Sequence, residues 1–343
     1  MKIKNSTQSV SPDASIIIMC VGILVACPLR IFQMLRSIDP ITGFYDNYSS
    51  LSVIVFYSVL ALATLLILIL TFVSAKVPAA IAPQGRKFGI FMSSLLLSAT
   101  LLFDAIYNYI PRNNETATIV QNAQSLTNLH HFHAVFALLS CIYFLVFSVS
   151  YIAGKSFYKS VKLLSLAPLV LCLVRVLERI SVIISIIRVS ELLLELCACV
   201  FLMIFFMTFA RVASGINEKG SMWSVIACGS VSAMFILVYS IPRVMLTLTG
   251  NADRLVSGYP VYWSDIACAL FIIVFIITTL RSGYKVEDVE KMYNEIESPS
   301  LDTFDIDDDD DDDDGYQMSI YPRKDDDGNI LLSKNTDAED SAE

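Results

Sequence analysis

LSVIVFYSVLALATLLILILTFVSA, residues 51–75, passes without one Lys, Arg, His, Asp or Glu. A helix crossing about 30 Å of hydrocarbon needs about 20 mostly apolar residues. Water is absent there, so backbone groups must be satisfied within the segment or in a closed barrel. This stretch is long enough and has no period-two alternation, so it reads as a transmembrane helix rather than a barrel strand. Seven further stretches read the same way. The eight spans fall near 15–35, 51–75, 88–110, 132–153, 163–187, 189–210, 222–247 and 261–280.

The rest of the composition agrees with a membrane protein. The chain has 343 residues, 55% of them hydrophobic and 17% charged, with a mean hydropathy of +0.63. Soluble chains carry roughly a quarter charged residues. The net charge of −9 hides a division. Residues 1–281 are mildly basic, at +8, and residues 282–343 are strongly acidic, at −17. The fold class expected is therefore all-α: a polytopic bundle of about eight helices over 15–281. A short N-terminus (1–14) precedes it, and an amphipathic juxtamembrane helix (282–298) and a disordered acidic tail (299–343) follow.

The juxtamembrane helix is read from Val286, Val289, Tyr293 and Ile296 on one stripe, with Glu287 and Lys291 an i,i+4 pair. The tail carries eight aspartates from Asp307 to Asp314 and a second run, Asp325–Asp327. Such charge at low hydrophobicity predicts disorder and suits docking to a basic cytoplasmic partner. Asp310, Asp312, Asp314 and Gly315 begin like an EF-hand loop, but its twelfth position is Tyr321 rather than Glu.

Lys and Arg concentrate in cytoplasmic loops. With the N-terminus inside, thirteen fall inside: Lys2, Lys4, Lys76, Arg86, Lys87, Lys155, Lys159, Lys162, Arg211, Lys219, Arg281, Lys285 and Lys291. Only Arg36, Arg112, Arg188 and Arg254 fall outside. Both termini are thus expected in the cytoplasm. The first span has a rival reading. Lys2 and Lys4, an apolar run, and Leu24-Val25-Ala26-Cys27 resemble a bacterial lipoprotein signal, whose cleavage would leave a lipidated Cys27 and seven helices. Helical apolar spacing continues past Cys27 through Ile31, Phe32, Met34 and Leu35, which favours eight spans. The eight cysteines form no CxxC pair, which points to small buried hydrophobes rather than a disulfide framework or zinc site.

Span three ends Tyr109-Ile-Pro-Arg112 and span seven carries Tyr239-Ser-Ile-Pro-Arg243. Each is the third span of a four-span half, so a four-plus-four repeat is a candidate. Four is even, so such a repeat would be parallel rather than inverted.

Charges inside a membrane are costly and usually face a cavity or one another. Arg30, Asp104, Arg175, Glu178, Arg179, Glu191, Glu195, Arg243 and Asp265 fall late in odd spans or early in even ones. All therefore lie at mid-depth or in the outer half. Spans five and six are joined by a very short turn, which sets Arg179 and Glu195 at similar depth. Two expectations follow: buried ion pairs fixing the helices, or an outward-facing charged cavity binding a small polar or anionic ligand, with arginine forks suited to carboxylate or phosphate. His130, His131 and His133 open span four, where only 130 and 133 share a helical turn, and no metal site is expected. Gly229 and Ala233 mark a small-residue packing face.

No HExxH, Walker A, GxSxG or intramembrane aspartyl-protease pair is present, and no lysine sits mid-span to form a Schiff base. The protein is expected to be non-enzymatic and to need no cofactor. A small-solute transporter and a scaffold recruiting a partner through the tail are the alternatives to a ligand sensor.

The strings Arg30-Ile-Phe-Gln33 through Ile38-Asp-Pro-Ile-Thr-Gly-Phe-Tyr45, Phe209-Ala-Arg-Val-Ala-Ser-Gly215 and Met292-Tyr-Asn-Glu-Ile-Glu297 resemble an uncharacterised family of polytopic membrane proteins from anaerobic Gram-positive bacteria. The resemblance covers most of residues 15–297. It implies a bacterial plasma membrane and carries over no activity or site residue.

Overall fold

The computed structural model describes residues 13–39, 45, 51–73, 76–77, 87–109, 123–155, 157–181, 189–214, 218–251, 255, 262–281, 284–285, 323–324 and 330–331. Among them, eight helices are long and apolar enough to cross a membrane. They are α1 (Asp13–Arg36), α2 (Leu51–Val73), α3 (Phe88–Tyr109), α4 (Ala123–Ala153), α5 (Ala167–Ser181, extended by a 3₁₀ segment, Phe157–Leu166), α6 (Val189–Ala213), α7 (Glu218–Leu248) and α8 (Trp263–Arg281).

Lipid as solvent explains why apolar residues cover all sides of these helices. In α2, Phe56, Leu60, Ala63, Ile67 and Thr71 are buried at steps of three or four, while Leu62 and Val73 stay exposed at 60% and 63%. The buried stripe meets protein and the rest meets hydrocarbon. Hydroxyls serve two purposes. Thr71 donates to the Ile67 carbonyl within its own helix. Ser98 donates to the Cys141 carbonyl at 3.0 Å and Ser148 to the Phe91 carbonyl at 3.1 Å, tying α3 to α4. α7 is the central post, packed on α1, α2, α6 and α8.

The fifth span differs from expectation. It starts at Phe157 rather than 163, and its first ten residues are 3₁₀, with Val161 outside helical geometry at φ −114, ψ 48. Pro168 explains the change at Ala167: it has no N–H to donate and its fixed φ suits the first turn of a new α-helix. Helix α5 ends at Ser181, and residues 182–188 lie outside the described set. Helix α1 runs through Cys27 and Pro28 to Arg36. The two matched strings sit differently. Tyr109 closes α3, whereas Tyr239 lies inside α7, which continues through Pro242 to Leu248.

Two residues after α2, β1 (Lys76–Val77), pair antiparallel with two after α8, β2 (Tyr284–Lys285). The ladder brings the α2–α3 connection and the chain leaving α8 to the same face of the bundle. It also corrects the juxtamembrane helix at its start. Tyr284 and Lys285 are extended because their backbone groups bond to Lys76 and Val77 instead of to the next helical turn. The remainder of that helix, residues 286–298, lies outside the described residues, as does the tail apart from a separate ladder. In the second compact unit, Glu290–Glu343, β3 (Arg323–Lys324) pairs with β4 (Ile330–Leu331).

All eight cysteines are free; Cys20 is exposed and Cys27 is buried. Gly229 is where close packing requires glycine. A Cβ there would come within 2.9 Å of a Phe205 ring carbon and 3.1 Å of an Ile272 methyl. Both side chains are fully buried. At Gly22 the closest atom is the Met234 sulfur at 2.9 Å, on a flexible chain, followed by the Ala63 Cβ at 3.3 Å. Gly229→Ala is therefore expected to cost about 1–3 kcal/mol, the ordinary cost of overpacking. Gly22→Ala should unfold near the wild-type temperature, and detergent-solubilised thermal denaturation compares the two.

A six-ring cluster fills the centre of the bundle. Phe271 packs against Phe144 (5.1 Å between centroids), Phe147, Phe209 and Phe275, and Phe205 against Phe209. Each ring is at most 1% exposed. Edge-to-face and offset stacking at these separations adds to area burial.

Candidate functional site

One carboxylate–guanidinium pair organises the charged end. Arg175 of α5 meets Asp265 of α8 through two parallel contacts, Nη1 to Oδ1 at 2.5 Å and Nη2 to Oδ2 at 2.9 Å. Both residues are buried. One turn later Arg179 donates from Nε to Glu195 Oε1 of α6 at 2.8 Å, and the same oxygen lies 3.9 Å from Arg175 Nη2. Glu195 thus bridges two arginines. Bidentate, charge-assisted geometry of this kind offsets part of the cost of taking ions from water.

Glu178, between the two arginines in sequence, turns to α4 instead. Its Oε2 is 2.8 Å from His133 Nδ1, a hydrogen bond. Its Oε1 is 3.3 Å from His130 Nδ1, a charge contact that falls short of hydrogen-bond geometry. The His133 side chain is 2% exposed and that of His130 46%. His131 is exposed and meets the edge of Tyr109.

Asp104 lies on the buried stripe of α3 formed by Ile90, Ser94, Leu97 and Leu101. Its Oδ2 accepts the Ser264 hydroxyl of α8. Among the described residues, no Lys, Arg or His nitrogen is placed within ion-pair distance of it.

Tyr262, just before α8, covers the group. Its ring stacks on His133 (5.9 Å between centroids, 19° between planes) and faces the guanidinium carbons of Arg175 at 4.6 Å and Arg179 at 5.7 Å. Tyr262→Leu is expected to lower stability by about 2 kcal/mol through loss of these buried cation–π contacts. Tyr262→Phe should retain most of it, and thermal unfolding of the two variants measures the difference.

Two small cavities touch these side chains. One, about 30 Å³, is lined at its polar end by Asp104, His133, Arg175, Ser264 and Asp265, and reaches Cys172 and Cys268. The other, about 10 Å³, lies among Arg175, Glu195, Tyr239 and Asp265. Among the described residues, Glu195 Oε2 and Arg175 Nε are buried without a hydrogen-bond partner. A water needs about 10–15 Å³ of such space and two or more polar partners. The first cavity therefore suits about two waters and the second about one. Among the described residues no three His, Cys, Asp or Glu are grouped to hold a metal ion.

No family model, no curated protein and no solved structure matches this chain. The site must be read from its own geometry.

Of the nine residues singled out in the sequence, six converge: Asp104, Arg175, Glu178, Arg179, Glu195 and Asp265. Arg243 stands one layer away, over the ring of Tyr239 at 4.3 Å and donating to its hydroxyl at 2.9 Å. Arg30 is elsewhere. It donates to Tyr45 at 2.8 Å and to Gln33 at 3.3 Å, and lies over Phe56. The Glu191 side chain lies outside the described set. Sequence reasoning missed His130 and His133 as partners of Glu178, and it missed Ser264, Tyr239 and Tyr262 altogether. The signal for two of them was their place beside Asp265 at the head of a span, where a polar side chain needs a buried partner.

Proposed function

We propose that this is a non-enzymatic plasma-membrane protein that senses or binds a small polar ligand at the outer end of its bundle. The observation that carries this reading is one-sidedness. Helices α3, α4, α5, α6 and α8 deliver their buried ionisable groups to one end of the bundle, above a centre of packed phenyl rings. The excess of Lys and Arg in the opposite loops supports an outward position for the charged end, and the resemblance noted in the sequence would imply a bacterial plasma membrane. Asp265 already fills the Arg175 fork and Glu195 holds the Arg179 Nε, so an anion would compete with internal carboxylates, which favours a ligand without net negative charge. The buried, mutually packed rings of Phe144, Phe147, Phe209, Phe271 and Phe275 stand below the charged groups, which favours sensing over transport.

The test uses the exposed edge of the charged end. His130 is half-exposed beside Glu178, and His131 is exposed. A chain stripped of its native cysteines and carrying His131→Cys should react with a small, membrane-impermeant thiosulfonate added outside intact cells, and not with the same reagent added to sealed inside-out vesicles. Reaction from the cytoplasmic side, or from neither, ends the outward reading.

A further inference from the structure

Helix α4 carries the chain from the charged end to the far side of the bundle. Its last residue, Ala153, lies about 30 Å along the axis from His133 at 1.5 Å per residue, which is the thickness of the hydrocarbon. The 3₁₀ segment that follows therefore sits at the opposite interface. It is anchored there on α4, α5 and α6. Tyr158 is buried, its N–H donates to the Ser150 hydroxyl at 3.3 Å, and its ring packs on Phe147 with 5.3 Å between centroids. Ser165, also buried, donates to the Lys162 carbonyl at 2.6 Å.

Between these two anchors every residue from Lys159 to Leu163 is exposed. Two kinds of side chain point away from the protein. Lys155, Lys159 and Lys162 are exposed, and among the described residues none has a carboxylate within ion-pair distance. Phe157, Leu163 and Leu166 are exposed beside them, Leu163 at 84%. Other exposed cations on this face lack such company. Arg211 ends α6 and Arg281 ends α8, but their apolar neighbours Ala210, Val212 and Leu280 are buried. Cations and large apolar groups side by side ask for an anion and hydrocarbon at the same depth. A soluble polyanion would meet only the lysines, whereas a phospholipid offers a phosphate directly above its acyl chains.

We propose that the 3₁₀ segment between α4 and α5 is a binding site for one anionic phospholipid. Lys155, Lys159 and Lys162 take its phosphate, and Phe157, Leu163 and Leu166 take the upper part of an acyl chain. The anchoring of Tyr158 and Ser165 fixes the platform before the lipid arrives, so little ordering is left to oppose binding. The site is independent of whatever binds among the charges at the other end.

Native mass spectrometry of the full-length protein in detergent, titrated with dioleoylphosphatidylglycerol or dioleoylphosphatidylcholine, tests it. Each lysine beside an anionic headgroup is worth about fivefold in affinity. The wild type should therefore bind the first phosphatidylglycerol about a hundredfold more tightly than phosphatidylcholine. Lys159→Gln with Lys162→Gln should weaken phosphatidylglycerol by about twenty-five-fold. Arg211→Gln with Arg281→Gln removes the same charge from the same face and should stay within about twofold of wild type, because those cations have no exposed apolar partner. Equal loss in the two double variants, or no preference between the lipids in wild type, overturns the site; the second outcome needs no variant to fold. Leu163→Asn keeps all three lysines and should weaken both lipids, and unchanged binding overturns the acyl-chain contact. Glycerol 3-phosphate, a phosphate without acyl chains, should not displace the lipid at tenfold excess. Displacement would make this a site for soluble phosphate and overturn the lipid assignment.

Discussion

Arg175→Ala is expected to cost about 3–5 kcal/mol, enough to remove most folded protein, because it leaves a buried carboxylate without its cation. Asp265 is 4% exposed and receives both of its close cationic contacts from this one side chain. Glu195 suffers less, since Arg179 still donates to it. Arg175→Lys should rescue poorly, because an ammonium cannot offer two parallel N–H groups. Arg175→Leu combined with Asp265→Leu removes both charges together and should recover much of the loss. The readout is the monodisperse fraction in detergent and the unfolding temperature, set in a double-mutant cycle. Were Arg175→Ala to unfold like the wild type, the pair would not hold the bundle together, and Arg175 would be free to serve a ligand directly.

Phe271→Ala is the second large effect, about 3–5 kcal/mol from a cavity the surroundings cannot fill. The ring is fully buried and touches rings on α4 and α6 as well as Phe275 on its own helix. Its neighbour Leu270 is 45% exposed to lipid. Leu270→Ala should therefore stay within about 0.5 kcal/mol of wild type, as surface changes do. Equal losses at the two positions would show that the phenyl cluster is not a packed unit.

The contrast between these residues shows what a sequence reveals about a membrane protein. Hydrocarbon leaves the backbone so few choices that the eight helices can be counted from apolar runs. Depth is also readable, since rise per residue is fixed; this set Arg179 and Glu195 at one level, and they lie 2.8 Å apart. Rotation about the helix axis is not readable when apolar residues cover every side. Arg30 has the right depth, but its helix packs on α2 and α7, where it donates to Gln33 and Tyr45. Arg175 and Asp265 are separated by 90 positions, and only packing selects that partner. The histidines were misjudged because spacing along one helix says nothing of Glu178 on another. The 3₁₀ start of span five was hidden because Phe157–Leu166 is as apolar as a regular turn.

The phenyl cluster has an electrical consequence. Phe271 and Phe275 lie about 9 and 15 Å along α8 from Asp265, at 1.5 Å per residue. If water accompanies the ionisable groups to mid-depth, the high-dielectric medium ends there, and the transmembrane voltage falls mainly across the aromatic half. A full crossing is worth about 2.3 kcal/mol per charge per 100 mV. An ion or a polar solute arriving among the charged groups would cover only the shallow part of that drop. The charged end would then answer to the chemistry of the medium it faces and be nearly indifferent to whether the cell is energised.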